Sequence, residues 1–323
     1  MTSINTNTSA MTALRSLSMI NSSLDQTQNR ISTGYRVGAA SDNAAYWSIA
    51  TTMRSDNKAL GAVEDALGLG QAKVDVAYTG MEAAIDVTSE IKAKLLAAIE
   101  PGVDKTKINS ELTELKNQLS SIASSASFSG ENWLQNTTAA AAGSKSVVAS
   151  FNRDSGGAVS VGTISIDVSK MTLIGTSDET QGILTKDYDA DLLLATPTTA
   201  PDEYRLIDAA GTQTTAATGK LIELASTTTA ADVNAMVRVV DKILTDMTTS
   251  ASNLGASKNR MDIQSEFVSN LRNSIDKGVG TLVDADMTEE STRLKALQTQ
   301  QQLGVQALSI ANASSQSVLA LFR

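Results

Sequence analysis

Among its 323 residues the chain has no cysteine and no histidine. The first absence removes disulfide frameworks, thiolate nucleophiles and zinc–thiolate sites. The second removes the Ser-His-Asp arrangement, histidine-rich metal sites and the usual general base near neutral pH. An enzyme would have to work with carboxylates, Lys, Ser, Thr or Tyr alone. No nucleophile–base pair or phosphate-cradling loop can be assembled from these, so no catalysis, cofactor or metal is expected. Aromatics are scarce, at 3%, while small apolar residues abound, which suits thin, close-packed helix seams better than a thick interior. Basic residues are outnumbered, 26 Lys and Arg against 35 Asp and Glu, and never cluster. A net charge of −9 argues against nucleic-acid or anionic-membrane partners. No stretch reaches the roughly 18 apolar residues of a membrane span. The start, "MTSINTNTSAMTALRSLSMINSS", lacks the basic segment and apolar block of a cleaved secretory signal.

What the chain does have is a seven-residue repeat. Met53, Leu60, Leu67, Val74, Met81 and Leu95 fall in one series, broken only by Thr88. Ile49, Val63, Ala77, Ala84 and Ile91 fill the companion position, interrupted at Asp56 and Gly70. A second run is cleaner: Val233, Val240, Met247, Leu254, Met261, Val268, Ile275 and Leu282. Sustained heptads predict long helices in coiled-coil contact, and about 50 helical residues would extend roughly 75 Å. Ile108, Leu112, Leu115, Leu119, Ile122 and Ala126 predict a third helix after the breaker Pro101-Gly102.

Weaker stripes occupy the two ends. Ala10, Leu17, Leu24 and Ile31 are seven apart, with Leu14 beside them. Leu294, Leu308 and Phe322 form a second series, flanked by Leu297, Ala311 and Val318, with Val305 and Leu319 on the same apolar stripe. Asn7, Asn21, Gln28, Gln301 and Ser315 sit where a stable coiled coil would place Leu, so these helices should be marginal alone. Residues 135–224 differ in character. "AVSVGTISIDV" alternates like a strand, "EYRLID" and "GKLIEL" read as further short strands, and Pro197 and Pro201 lie here. The expected fold is mainly α, with elongated antiparallel coiled-coil helices from both chain ends and a small β-containing insert. First would pair with last and second with second-to-last. Three regions follow: 1–42 with 284–323 as a terminal coiled coil, 43–134 with 225–283 as an inner helical rod, and 135–224 as an outer insert.

Several short motifs have ordinary structural readings. In "NRISTGYRVGAASDNAAYWSIA", Gly34 and Gly38 permit a reversal and Ser41, Asp42 or Asn43 can cap the next helix, while Tyr46 and Trp47 suit packing or an interface. "DADMTEES" holds four carboxylates but lacks the calcium loop's central Gly and final Glu. Asp286 with Glu289 fits a capping box at a helix restart instead. "GLGQAK" is a fragment of a dinucleotide fingerprint inside a heptad run and reads as helix seam. "LQTQQQL" is a solvated helix face or a polar wall facing water.

The two ends resemble bacterial flagellin. "RISTGYRVGAASDNAA" is similar to the family's turn between terminal and inner helices, "LGASKNRMD" to its inner C-terminal helix, "LVDADMTEESTRL" to its helix restart, and "QALSIANASSQSVLALFR" to its carboxyl end. These cover about residues 1–134 and 225–323, and "ASDNAAYWSIATTMRSDN" resembles flagellins of rhizobia-like α-proteobacteria in particular. The resemblance implies the subunit of the extracellular flagellar filament, made of many copies of itself and related flagellins, with terminal helices lining the export channel. It implies type III export without cleavage, an export chaperone on the C-terminal helix, a filament cap and hook-junction proteins as partners. It also implies assembly roles for Leu14, Leu17, Leu24, Ile31, Leu294, Leu297, Leu308, Val318, Leu319 and Phe322. Ser41, Asp42 and Asn43 replace the family's usual Lys-Asp-Asp, and "SEIKAKLLAAI" keeps Lys92 and Lys94 without the arrangement immune receptors read, so receptor recognition is expected to be weak. A hook–filament junction protein is the near alternative; a coiled-coil adhesin or signalling module and an enzyme in the insert are the distant ones.

Overall fold

A computed structural model of the chain describes residues 7–138, 140–154, 156–194, 202–209 and 217–320, the side chains of 314–320 excepted. Among the described residues five α-helices, two short 3-10 turns and nine strands follow one another. Helices α1 (Thr8–Thr33), α2 (Ala44–Ala97) and α3 (Lys105–Ser125) come first. Strands β1 (Ser127–Phe128), β2 (Glu131–Asn132), β3 (Gln135–Asn136), β4 (Ser144–Arg153) and β5 (Val159–Asp167) come next. Then follow β6 (Ile174–Gly175), β7 (Tyr188–Asp189), β8 (Glu203–Arg205) and β9 (Lys220–Leu221). Helices α4 (Ala230–Val283) and α5 (Met287–Ala320) close the chain. Long helices thus flank a small strand-containing region, as the periodicity predicts. The chain forms two compact units, Met1–Ala59 with Leu271–Arg323 and Leu60–Asn270, and both α2 and α4 contribute to each.

In the larger unit the heptads become an antiparallel seam. Leu60, Leu67, Val74, Met81 and Leu95 of α2 are buried, as are Val240, Met247, Leu254, Met261 and Val268 of α4. Gln71 donates to Asp262 at 2.8 Å, Lys258 pairs with Asp75 at 2.5 Å, and Lys92 pairs with Asp241, which fixes the register. Thr88, the polar break in the α2 series, is fully buried. It returns its hydroxyl to the Ala84 carbonyl at 2.7 Å and lies 3.7 Å from the Met247 sulfur. A buried hydroxyl that bonds its own helix leaves no orphan donor, so the break is tolerated. Thr229 and Asp232 cap α4 reciprocally, each side chain accepting the other's backbone N–H.

Helix α3 folds back on α2 through the Pro101-Gly102 turn, with Asp104 as its cap and a Lys94–Glu111 pair at 2.7 Å. Lys116 reaches from α3 to the Ile222 carbonyl, and burial pushes its amine down to about 8. Strands β4 and β5 form an antiparallel hairpin with a register shift between Val148 and Ser150. Ile164 and Ile166 point inward, whereas Val159 and Val161 are exposed. A side chain at Gly70 would overlap the Val147 methyls, so this glycine is what lets β4 close on α2.

The insert also follows α4. Gln264 donates to the Ala149 carbonyl at 3.0 Å, Ser250 to the Lys170 carbonyl at 2.7 Å, and Arg238 to the Ala190 carbonyl at 3.3 Å. Asp246 anchors this docking: Lys242 lies at 2.6 Å, the Tyr188 hydroxyl donates at 3.1 Å, and Lys186 lies at 3.4 Å. Burial alone would raise the Asp246 carboxyl, but these partners outweigh it and hold it below the ordinary range. Burial and the Asp246 charge push the Tyr188 hydroxyl up, so it stays a donor.

Candidate assembly surface

The smaller unit brings α1 and α5 together. Asn7 caps α1, its Oδ1 accepting from the Ala10 N–H at 3.0 Å, while its Nδ2 donates to the Ala311 carbonyl at 3.0 Å. Farther along, Gln301 donates to Asn21 at 2.8 Å, and Gly304 faces Leu17. Arg30 pairs with the nearly buried Glu290 at 3.0 Å. Helices α1 and α5 therefore run antiparallel. Two of the polar residues that interrupt the stripes bond across the pair, and Asn7 bonds the opposing backbone. Polar rungs of this kind fix register at some expense of stability.

The inward face of α1 alternates through Ala10, Ala13, Leu17, Ile20, Leu24, Thr27 and Ile31, but only Ala10 and Thr27 are fully buried. On α5 the matching face is Glu290, Leu294, Leu297, Gln301, Gly304, Leu308 and Ala311. Leu14 and Val305 lie off these faces and are 56% and 54% exposed. The four-three alternation passes through Ala13 and Gly304, their immediate neighbours, instead. Met11, Met19, Leu303 and Ile310 are exposed as well. Phe322 lies outside the described residues, as do the side chains of Val318 and Leu319.

Below this pair the two connectors are stitched together. Gly34 ends α1 at φ 76°, a left-handed position that disfavours other residues, with its N–H on the Arg30 carbonyl. Arg36 and Val37 both donate backbone N–H to the Val283 carbonyl, at 2.7 and 3.2 Å, and Ala285 donates to the Gly34 carbonyl at 2.9 Å. Arg36 adds a guanidinium bond to the Leu282 carbonyl at 3.0 Å. Asp42 accepts the N–H groups of Gly38 and Ala39, both at 3.0 Å, and these donors hold its carboxyl below the ordinary range. Asn43, not Asp42, caps α2, accepting from the Tyr46 N–H at 3.1 Å. Asp286 caps α5: the Thr288 hydroxyl and the N–H groups of Thr288 and Glu289 lower its carboxyl. Glu289 contributes its N–H there, while its carboxylate lies 4.0 Å from Arg293.

Under the stitched connectors Val37, Ala50, Val279 and Val283 form an apolar cluster, with Met53, Ile275 and Leu282 packed on its edge. Ala50 takes the inward position expected of Ile49, which is exposed with Tyr46 and Trp47 on the first turns of α2. Asn57 bridges Asp276 and Arg272, the latter at 3.1 Å. Among the described residues no group of acidic side chains could hold a metal ion, and no helix is long and apolar enough to cross a membrane.

Two family models match the chain: the bacterial flagellin N-terminal helical region over residues 4–139, and the bacterial flagellin C-terminal helical region over 237–322. Flagellin C of Rhizobium meliloti (strain 1021) is 59% identical over 323 residues, covering all of both chains. The chain belongs to the flagellin family. Flagellin A of Rhizobium meliloti is 48% identical over 397 aligned positions, and the flagellin of Brucella melitensis biotype 1 is 45% identical over 324, again with both chains covered in full. A flagellin is a structural filament subunit, and neither a junction protein nor an adhesin is favoured by these full-length matches. The first match runs from α1 through α3 to β3, and the second takes in most of α4 and all of α5.

Asp286 stands at the cap position that its spacing predicts, whereas Asp42 binds the connector backbone and Leu14 and Val305 lie off the paired faces. Sequence reasoning missed the Tyr35–Asp284 bridge and the exposed Ile263 and Phe267 on α4. The latter were detectable, since both are large apolar residues off the heptad positions.

Proposed function

We propose that the α1–α5 pair is the polymerisation element of this filament subunit and that neighbouring copies cover its outer face. The observation that carries this is the pair's incompleteness. Its helices hold each other through a thin seam of Ala, Leu and polar rungs, while Met11, Leu14, Met19, Leu303, Val305 and Ile310 face outward. Scattered exposed apolar side chains are ordinary, but two long helices with so little fully buried apolar surface have little reason to persist alone. Ordering therefore accompanies assembly, and each added copy supplies the missing contacts.

On this reading residues 1–42 with 284–323 form the filament's inner layer, 43–134 with 225–283 the surrounding rod, and 135–224 the outer part. The stitched connectors and their caps at Gly34, Asp42 and Asp286 transmit the orientation of the inner layer to the rod. The chain does its work extracellularly as a building block and not as an enzyme, after export without a cleaved signal. An export chaperone on α5, the filament cap and the hook-junction proteins are its transient partners.

Removing residues 305–323 tests the reading. The shortened chain is expected to keep the melting transition of the α2–α4 seam and to lose growth on filament seeds. Normal growth without these residues would overturn it.

A further inference from the structure

The methionines are sorted by place. Met81, Met171, Met236, Met247 and Met261, all within 60–270, are buried, and Met53 is packed against the connector cluster. Among the described residues the exposed ones are Met11 at 52%, Met19 at 66% and Met287 at 44%. All three lie in α1 or at the first position of α5. With no cysteine in the chain, thioethers are its softest sulfur nucleophiles.

We infer that Met11, Met19 and Met287 are peroxide-sensitive modification sites that control entry of the free subunit into the filament. The inference rests on the reading that neighbouring copies cover the outer face of the α1–α5 pair. Thioether sulfur attacks one oxygen of hydrogen peroxide, whose proton passes to the departing hydroxide. The S–O bond forms as the O–O bond breaks, sulfur gives up two electrons, and the displaced oxygen leaves protonated as water. The product sulfoxide is polar and accepts hydrogen bonds. On a free subunit it stays hydrated and harmless. At a surface that must be desolvated against a neighbour, it removes apolar area and adds a polar atom without a partner. Oxidation therefore stops free subunits from adding, whereas assembled subunits, with these sulfurs covered, are protected. Reduction of the sulfoxides restores addition.

The test uses the full chain as monomer and as filament, treated with hydrogen peroxide and analysed by peptide mass spectrometry. In the monomer Met11, Met19 and Met287 are expected to oxidise roughly tenfold faster than the five buried methionines. Growth of the oxidised monomer on untreated seeds falls by roughly tenfold and returns after methionine sulfoxide reductase. The Met11→Leu/Met19→Leu/Met287→Leu chain keeps growing after the same treatment. Should that variant fail to assemble, the reductase rescue of the natural chain decides. Undiminished growth of a monomer carrying all three sulfoxides, or loss of growth that the reductase does not reverse, overturns the inference. A different outcome identifies failure of the underlying reading: Met11 and Met19 would then oxidise as fast in the filament as in the monomer. If they are protected there and oxidised monomers still add, only the present inference falls.

Discussion

The Arg30–Glu290 pair gives the sharpest mutational prediction, because its two partners differ in exposure. Glu290 keeps only 6% of its side-chain surface in water and Arg30 23%. One Glu290 oxygen meets Arg30 at 3.0 Å and Arg293 at 3.5 Å, and its other oxygen, Oε2, has no hydrogen-bond partner in the protein. Arg30→Met leaves a mostly dehydrated carboxylate supported by Arg293 alone. Breaking a buried pair by removing one partner costs 3–5 kcal/mol when nothing replaces it; with Arg293 still present, about 2–3 kcal/mol is expected. That corresponds to roughly a 30- to 150-fold shift in the equilibrium closing α1 on α5. Glu290→Leu removes the charge that needs pairing and is milder, about 1 kcal/mol, since the exposed Arg30 end can hydrate. Combining Arg30→Met with Glu290→Leu should cost less than the sum of the two by about 2 kcal/mol. The assay is a double-mutant cycle on the heat-depolymerisation equilibrium of filaments, with the α1 helix signal of the monomer as a second readout. Additivity within about 0.3 kcal/mol would refute the argument that a dehydrated charge is at stake.

Three further outcomes follow from the geometry. Gly34→Val forces a branched residue to φ 76° and should destabilise the connector by about 1–2 kcal/mol, with Gly34→Asn milder, measured as filament melting temperature. Asp246→Ala leaves Lys186, Lys242 and the Tyr188 hydroxyl without their shared carboxylate, so limited proteolysis should cut 170–194 sooner while the α2–α4 seam stays protected. Lys116 titrates near 8 in the folded chain against an ordinary 10.5. Between those values the unfolded chain binds more protons, so this group's penalty is full below pH 8 and is relieved as pH rises toward 10.5. Denaturant unfolding of the natural chain and Lys116→Met should therefore converge in pH slope below 8 and diverge above it. Parallel slopes throughout would exclude the effect.

How much could be read beforehand depended on whether the pattern was local. The α2 and α4 series were legible because apolar residues recur every seven positions over many turns, and the polar break in the leading α2 series, Thr88, bonds its own helix. Phase was harder where two apolar neighbours compete. Ala13 beside Leu14, and Ile49 beside Ala50, satisfy a seven-residue spacing almost equally, and in both cases the smaller residue lies inward. Strand β5 was legible in "AVSVGTISIDV" while its partner β4 was not, and the apolar alternation changes phase at Gly162, so Ile164 and Ile166 are buried while Val159 and Val161 are exposed. Capping at Asp286 was visible from local spacing, whereas Asp42 turned out to bind the connector's backbone and Asn43 to cap the helix. The pairing of residues 34–37 with 282–285 is mostly backbone to backbone across most of the chain, with the Arg36 guanidinium adding a side-chain bond, and so leaves little signature in the sequence. Asp246 was equally hidden, since its partners come from a distant segment of the insert.

Amide hydrogen exchange, resolved by peptide, on the free subunit and on the filament bears most directly on the central idea that the α1–α5 pair is completed by other copies. Peptides from 8–33 and 287–313 should exchange far faster than the α2–α4 seam in the free subunit, and should reach the seam's protection in the filament. Equal protection of the terminal pair and the seam in the free subunit would contradict it.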